Sequence, residues 1–457
     1  MDADRERAMA RRIAELVREA GGRAFYVGGA VRDEVMGLPI KDVDVEVYGI
    51  APEVLRGLLS SVGSVYDKGR SFGVLGLRSC DMDIAMPRRE RATGPAHTDF
   101  DVTVDPFLSV REASRRRDFT VNAMLMDVLT GEIIDPWNGR EDIRRKRLRC
   151  VSAETFPEDA LRVFRACQFS ARFAFSIDPE TMELCGLIDV SHLSRERVYM
   201  ETVKALMKAA RPSVYFRALA RMDHLREFFP ELEAAIGVPQ NPKYHPEGDV
   251  FEHTMLVVDN AADLRGRARE PLGFMFAALF HDLGKCVATR TREDGRIVAY
   301  GHEHLGLKLV EKAMRRLTDH RELIAYVVNQ SMMHMRPNML AAARSRKRKT
   351  RAMFDQSVCP EDLILLARAD AVGRGDVNFD PAWEEFLRER LSDYYRIMQL
   401  PMVTGEDLLQ AGIRPGPVYR TMLERARTLH FSGWPRERAL KQVLAEFPPK
   451  NEGTPSK

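Results

Sequence analysis

The sequence predicts a multidomain α+β protein: an N-terminal domain built on a mixed sheet, followed by domains that are almost entirely helical. Three observations carry this. The chain has 457 residues, too many for one hydrophobic core. Before about residue 150, short runs alternate apolar and polar residues with period two, and turn residues separate them. From "FPEDALRVFRACQFSARF" onward, the apolar spacing becomes helical.

"RAFYVGGAV" reads as a strand that runs into a glycine turn, and "KDVDVEVYG", "SFGVLGLRS" and "DMDIAMP" read as further strands. "TGEIIDPWNG" reads as a hairpin and turn closing the first domain over residues 1–149. "SRERVYMETVKALMKAA" and "PSVYFRALARMDHLREFF" are amphipathic helices of a second region, 150–240. The connector "GVPQNPKYHPEGD" leads to a histidine-bearing helical block, 241–385. A final helical region, 386–457, contains "VTGEDLLQAGI", where Thr404 is placed to cap a helix with Asp407 near its third position. The last residues, "PPKNEGTPSK", read as disordered.

Hydrophobic residues make up 45% and charged residues 30%, the balance of a soluble protein. The formal net charge of +3 excludes global attraction to nucleic acid, so any such contact must come from local patches. None of the six cysteines is spaced as CxxC, which points to reduced thiols in a cytoplasmic protein. The charged amphipathic N-terminus does not read as a signal peptide, and no apolar run is long enough to span a membrane.

"KDVDVEVYG" sets Asp42, Asp44 and Glu46 on one strand face and Val43, Val45 and Val47 on the other. Two aspartates at i and i+2 can bridge two divalent ions against triphosphate oxygens. A third acid from a neighbouring strand would complete the cage; Asp83 is best placed, and Asp81 shares its face. Upstream, "VGGAVRDEVMGLPI" puts Gly28 and Gly29 at a strand end before a helix, where backbone can approach a phosphate, and Arg32 adds a cation. The bland readings are a solvated strand edge and an ordinary turn. A glycine pair, an Arg-Asp and a DxD within 17 residues form a much rarer combination.

"GGAVRD…KDVDV", "RRRDFTVNAM" and "EDALRVFRACQF" together resemble the class II tRNA nucleotidyltransferase (CCA-adding enzyme) and bacterial poly(A) polymerase family. The resemblance continues through "SRERVYMET" and covers nearly the whole chain. It implies a head related to the polymerase β nucleotidyltransferase fold, then helical neck, body and tail. It also implies Mg²⁺ on Asp42 and Asp44, and triphosphate contacts from Gly29, Arg32 and Arg117. Arginine forks suit phosphate oxygens, and Asn122, four residues after Asp118, suits a ribose hydroxyl or a loop carbonyl. The implied partners are the tRNA 3′ end, CTP and ATP.

At helical spacing, Glu158, Asp159, Arg162 and Arg165 fall on one side of the next segment, with Ala160, Val163, Phe164 and Cys167 opposite. Ion pairing along the helix is the bland reading. The sharper one is a nucleobase template: a carboxylate only accepts hydrogen bonds and a guanidinium only donates them. Cytosine and adenine each offer an amino donor beside a ring-nitrogen acceptor, whereas uracil and guanine reverse that order. The family resemblance assigns base recognition to Asp159 and Arg162, with Arg165 nearby. Many members carry an arginine where this chain has Gln168, which removes a charge from one nucleotide contact. The polar segment 88–105 matches a flexible loop in the family, and its length favours CCA or A addition over CC addition.

"DVFEHTMLVV…FHDLGKCVATR…LARADAVGRG" resembles the HD phosphohydrolase domain. His253, His281, Asp282 and Asp370 would hold a divalent transition metal or Mg²⁺ that activates water. Nickel, manganese, magnesium and cobalt all suit the donors; His302, His304 and His334 either join the site or lie near it. The resemblance implies phosphatase and cyclic phosphodiesterase activity. "RSRKRKTR" (344–351) reads as a solvated loop that could alternatively hold tRNA phosphates. The leading functional expectation is CCA addition by the head with a second phosphohydrolase site. The rivals are poly(A) synthesis, CC-only or A-only addition, a phosphohydrolase with a vestigial head, and a non-catalytic RNA-binding module.

Overall fold

The computed structural model describes residues 3–40, 43–69, 74–92, 100–375 and 380–448. Asp42, the middle of the 88–105 segment and the C-terminal residues read as disordered lie outside the described residues. The chain divides into two compact units, Met1–Ala209 with Val214–Glu227, and Ala210–Ser213 with Phe228–Lys457.

The first unit opens with α1 (Ala3–Glu19), which buries Ala10, Ile13, Ala14 and Val17 at helical spacing. There follow β1 (Arg23–Val27), α2 (Gly29–Val35), β2 (Val45–Tyr48), α3 (Pro52–Val62), β3 (Val65–Gly69), β4 (Val74–Leu77) and β5 (Asp83–Ala85). Next come β6 (Arg88–Ala92), β7 (Phe100–Val104), α4 (Val110–Ser114), β8 (Leu125–Asp127), β9 (Ile133–Ile134) and α5 (Gly139–Arg144). Seven strands make one mixed sheet in the order β3-β4-β5-β2-β1-β8-β9. Among the described residues, only the β2–β5 pairing of this sheet is parallel. β2 is therefore central, and Val43, Val45 and Val47 enter the main core cluster as their alternation predicts.

Two sequence expectations fail here. The 88–105 segment is not simply a loop: β6 and β7 pair as an antiparallel ribbon, from Arg88 with Val104 to Ala92 with Phe100. The period-two run Phe100, Val102, Val104 is the signal for it. The helix expected from Pro157 onward instead begins at Leu161, giving α6 (Leu161–Phe173). Phe156–Glu158 is a separate 3₁₀ turn, and Asp159 is extended. α7 (Pro179–Leu187) and α8 (Arg195–Lys208) follow.

Among the described residues, the second unit is helical apart from one short hairpin, Arg290–Thr291 with Ile297–Val298. Helices Val250–Leu264, Pro271–Phe280, Arg321–Met333 and Pro360–Gly373 pack together around Phe274, Phe276 and Phe280. The basic run is a loop only over 344–346: Lys347–Gln356 is a helix, built from good helix formers. Arg344, Arg346, Lys347, Arg348 and Lys349 stay exposed around its start, while the buried Arg351 donates to Asp393 Oδ2 (2.8 Å) and to the Phe431 carbonyl (2.7 Å). Thr404 and Asp407 form a reciprocal cap on Gly405–Gln410. No helix among the described residues is long and apolar enough to cross a membrane.

Candidate active sites

β1 and β2 end side by side. Tyr26 pairs with Val45, and at the next rung the Val27 N–H donates to the Asp44 carbonyl (3.2 Å). On the other edge of β2, Val45 pairs with Ile84. One residue back along both parallel strands, that register sets Asp44 beside Asp83, on the face opposite the buried valines. Asp81 lies two residues earlier, outside β5. Lys68 on β3 approaches both acids, at 2.5 Å from Asp83 and 3.1 Å from Asp81, and its pKa is raised chiefly by Asp83.

At the end of β1, Gly28 has φ of 66°, a left-handed conformation that favours glycine. A Cβ there would sit 3.3 Å from Arg117 Nη1, and one on Gly29 would sit 3.5 Å from Arg32 Nη2. Two guanidiniums thus close on the glycine pair that begins α2. Arg32 is buried and fixed, donating to Asp33 Oδ1 from Nε (2.8 Å) and Nη2 (2.6 Å), and from Nη1 to Asn122 Oδ1 (2.8 Å). Its carbon lies 4.6 Å from the Phe173 ring centre. Burial lowers its pKa, against the pull of Asp33.

Within the chain, Asn122 is held by two side chains. It joins Arg32 to Asp118, donating from Nδ2 to Asp118 Oδ1 (3.0 Å), and Arg165 Nε donates to Asp118 Oδ2 (2.8 Å). Burial would raise the Asp118 pKa, but Arg165 and Asn122 hold it below the usual value. This chain of polar contacts ties the strand end to α6.

Glu46, the third acid of the opening stretch, is not a surface acid. It is 2% exposed and accepts from Arg117 Nη2 (3.2 Å), Arg116 Nη2 (3.4 Å) and the Tyr48 hydroxyl (3.3 Å). The like charges on β2 are thus divided between a strand tip and a buried arginine clamp. Nothing local in the sequence marks this, because Arg116 and Arg117 lie about 70 residues downstream.

The spacing argument for Asp159 and Arg162 does not survive the late helix start. Asp159 Oδ1 accepts from the Leu161 N–H (3.1 Å), and both its oxygens accept from Arg197 Nη2 at 2.9 Å. Arg162 donates to the Thr155 and Arg116 carbonyls, each at 2.6 Å. Arg197, within "SRERVYMET", is a residue the sequence reading did not single out. Gln168 is buried on α6, and its Nε2 has no hydrogen-bond partner among the described residues.

In the second unit, six buried side chains converge. His253 lies on Val250–Leu264, His281 and His334 end their helices, Asp282 follows His281, His302 opens a short helix, and Asp370 lies on Pro360–Gly373. Asp282 Oδ2 is 3.2 Å from His281 Nε2 and 3.5 Å from His253 Nε2, which is itself 3.1 Å from Asp370 Oδ1. Asp282 Oδ1 faces His302 Nε2 at 3.1 Å and His334 Nε2 at 3.4 Å. Each imidazole has its Nδ1 committed: His281 to the Ala278 carbonyl, His302 to Ala299, His334 to Ser331, and His253 to Glu247 Oε1. The Nε2 lone pairs therefore point inward, the orientation that metal-ligating histidines take. Both Asp282 oxygens and His281 Nε2 are buried without a well-formed hydrogen bond.

Buried lone pairs aimed at one another are costly unless a cation lies among them, so these donors fit divalent metal. Burial works against ionising Asp282 and Asp370, but Lys285 and His281 hold the first, and Arg374 and His253 the second, well below the usual range. His304 is exposed and takes no part in the cluster. Gly284 of "HDLGK" allows the close approach of the next ligand: a Cβ there would meet the His302 carbonyl at 1.9 Å.

A multifunctional CCA protein from Actinobacillus pleuropneumoniae is 35% identical over 386 residues, covering 81% of this chain and 89% of its own. The chain belongs to the multifunctional CCA protein family. Another such relative, from Hahella chejuensis, is 39% identical over 301 residues, 64% of this chain and 68% of its own. Residues 24–149 match the poly A polymerase head domain, 174–236 the "Probable RNA and SrmB- binding site of polymerase A", and 250–375 the HD domain. The fold is shared with the Thermotoga maritima CCA-adding enzyme complexed with tRNA, at TM-score 0.63 and 20% identity, covering 96% of this chain and 95% of that one. It is also shared with the Bacillus stearothermophilus CCA-adding enzyme in complex with CTP, at TM-score 0.66 and 23% identity, covering 96% of each.

Proposed function

We propose that this member of the multifunctional CCA protein family is a cytoplasmic, template-independent nucleotidyltransferase that adds CMP and AMP to the tRNA 3′ end from CTP and ATP. The observation that carries the reading is the convergence, at one strand end, of Asp44, Asp83, the Gly28–Gly29 turn and the guanidiniums of Arg32 and Arg117. The primer 3′ oxygen bonds to the α-phosphorus, the bond to the bridging oxygen of the leaving pyrophosphate breaks, and the hydroxyl proton passes to water. Asp44, with Asp42 and Asp83, would hold Mg²⁺. Bound there, Mg²⁺ lowers the pKa of the attacking hydroxyl and offsets charge on the pyrophosphate.

The chain's own residues do the positioning. Gly28 and Gly29 let the triphosphate approach the backbone, and Arg32 and Arg117 supply fixed donors to its oxygens. Asp118 and Asn122 hold Arg32 and Arg165 in place. Asp159 accepts from the exocyclic amine of cytosine or adenine, and Arg162 donates to the ring nitrogen. Both arrive preorganised, Asp159 by Arg197 and Arg162 by two carbonyls. Incubating tRNA that lacks its 3′ end with CTP, with ATP, and with both tests the activity. Addition of CCA and then arrest is expected; a growing A tract with ATP alone would instead support poly(A) synthesis.

The second unit is read as a metal-dependent phosphohydrolase. His253, His281, Asp370 and Asp282 Oδ2 would hold one cation, and His302, His334 and Asp282 Oδ1 a second. Bound there, a cation would acidify water at neutral pH and polarise the phosphoryl group. Water oxygen then bonds to phosphorus as the P–O bond to the ribose breaks, and the ribose oxygen takes a proton.

A further inference from the structure

β3 is an edge strand of the seven-stranded sheet. Its pairing with β4 runs from Asp67 with Leu75 to Gly69 with Val74, so Lys68 is the extra residue of a β-bulge. A bulge bends its strand and re-aims a side chain. Edge strands commonly carry a lysine only to repel other strands, and such a lysine points into water. Lys68 does not: 33% of its side chain is exposed. It reaches past β4 to the acids at the start of β5, with Nζ 2.5 Å from Asp83 Oδ1 and 3.1 Å from Asp81 Oδ1.

The two contacts differ in quality. Toward Asp81, whose side chain is mostly in water, the ammonium donates a well-formed hydrogen bond. Toward Asp83 it comes closer but is poorly directed: Asp83 Oδ1 is buried and has no well-formed hydrogen bond among the described residues. A buried carboxylate oxygen ordinarily has a directed partner, and leaving it without one is costly. An ammonium in that position neutralises the charge but uses the lone pair badly. Mg²⁺, which takes oxygen ligands at about 2.0–2.1 Å, would use it well. The register of β2 and β5 sets Asp44 beside the same carboxylate, so a second acid is at hand for the ion.

We propose that Lys68 is a positioning residue that stands in for the metal at Asp83 while the head is empty. Its ammonium neutralises the third acid of the site, and a divalent ion reaches Asp83 only by displacing it. The empty head therefore takes metal weakly. An arriving metal-bound triphosphate offers the displaced ammonium an anionic partner, so metal and nucleotide enter together. The inference rests on the nucleotidyltransferase reading, in which Asp44 and Asp83 hold Mg²⁺.

The test titrates the nucleotide-free, full-length protein with Mn²⁺ and reads the free ion by electron paramagnetic resonance. Wild type is compared with Lys68→Met, Lys68→Arg, Asp83→Asn and the double variant Lys68→Met, Asp83→Asn. The histidine–aspartate cluster of the second unit is unchanged in every protein and contributes the same sites to each. Asp83→Asn weakens one class of Mn²⁺ sites. Lys68→Met tightens that class about fivefold, the upper worth of a partly exposed ion pair, while Lys68→Arg, which keeps the charge, stays within about twofold of wild type. In the Asp83→Asn background, Lys68→Met shifts the affinity by less than about twofold, the mark of an effect that runs through Asp83. Unchanged affinity in Lys68→Met overturns the inference and leaves Asp83 a metal ligand. A gain that persists in full without the Asp83 charge overturns it too, because Lys68 then acts by general repulsion of cations. If Asp83→Asn weakens no class, the metal reading of Asp83 fails, and the inference falls with it.

Discussion

Glu46 explains how a third acid persists on the central strand of the sheet. A buried carboxylate is tolerated only when paired, and here two guanidiniums and a phenol surround it. The pairing also fixes Arg117 against Gly28, so Glu46 acts on the nucleotide through that arginine. Glu46→Gln keeps an acceptor but removes the charge. KM for CTP and ATP is expected to rise about tenfold with kcat within about threefold, the pattern of a lost ground-state contact. Steady-state incorporation assays check this, and an unchanged KM would remove Glu46 from the positioning role. At this scale, residues were legible in the sequence when their partners lie close along the chain. Gly28, Arg32 and Asp44 sit within 17 residues of chain. Arg197, which holds Asp159 from 38 residues away, and Glu247, which holds His253 from outside its helix, were not, because no local pattern encodes a contact made by tertiary packing.

Among the elements, the basic helix Lys347–Gln356 shows what charge composition leaves out. Most of "RSRKRKTR" is solvated, as its composition suggests, but Lys347 Nζ (3.0 Å) and Arg351 converge with Arg396 (2.8 Å) on Asp393. Burial opposes ionisation of Asp393, but these three cations lower its pKa from the ordinary 3.8 to about 2. A depressed carboxylate pKa contributes stability that is present above the ordinary value and is lost as pH falls toward 2. Because Lys347 and Arg396 are largely exposed and screened, Asp393→Asn should therefore destabilise the second unit by about 1 kcal/mol at pH 7, with the difference shrinking between about pH 4 and pH 2. Urea unfolding followed by tryptophan fluorescence at pH 7 and at pH 3 measures it; Trp383 and Trp434 report from this unit. A gap that does not change with pH would show that Asp393 acts by packing alone. Element type was legible where apolar periodicity was strong, as in Val250–Leu264. The start of α6 was not, because Pro157 and the side chain of Asp159 close a 3₁₀ turn before the helix, a local competition that periodicity does not register.

The whole molecule matches two domains of different chemistry, the poly A polymerase head over 24–149 and the HD domain over 250–375, and its two compact units divide near residues 210–228, well past the change of pattern near residue 150. What sequence left open was the number of cations in the second unit. His302 and His334 stand 32 residues apart, and only the fold brings their Nε2 atoms to 3.4 Å from each other, on one oxygen of Asp282. After loading with Ni²⁺ and dialysis, elemental analysis is expected to find two ions per chain in wild type and one in the double variant His302→Ala, His334→Ala. Equal content in the two proteins would leave Asp282 serving a single ion.

The head's assignment depends on Asp44 binding Mg²⁺ for chemistry while the rest of the protein holds the RNA. Labelled CMP incorporation into tRNA lacking its 3′ end, with tRNA affinity measured in parallel, tests that dependence most directly in the Asp44→Ala variant. The predicted result is undiminished tRNA binding with incorporation lowered by about 10³-fold or more; incorporation near the wild-type rate would contradict it.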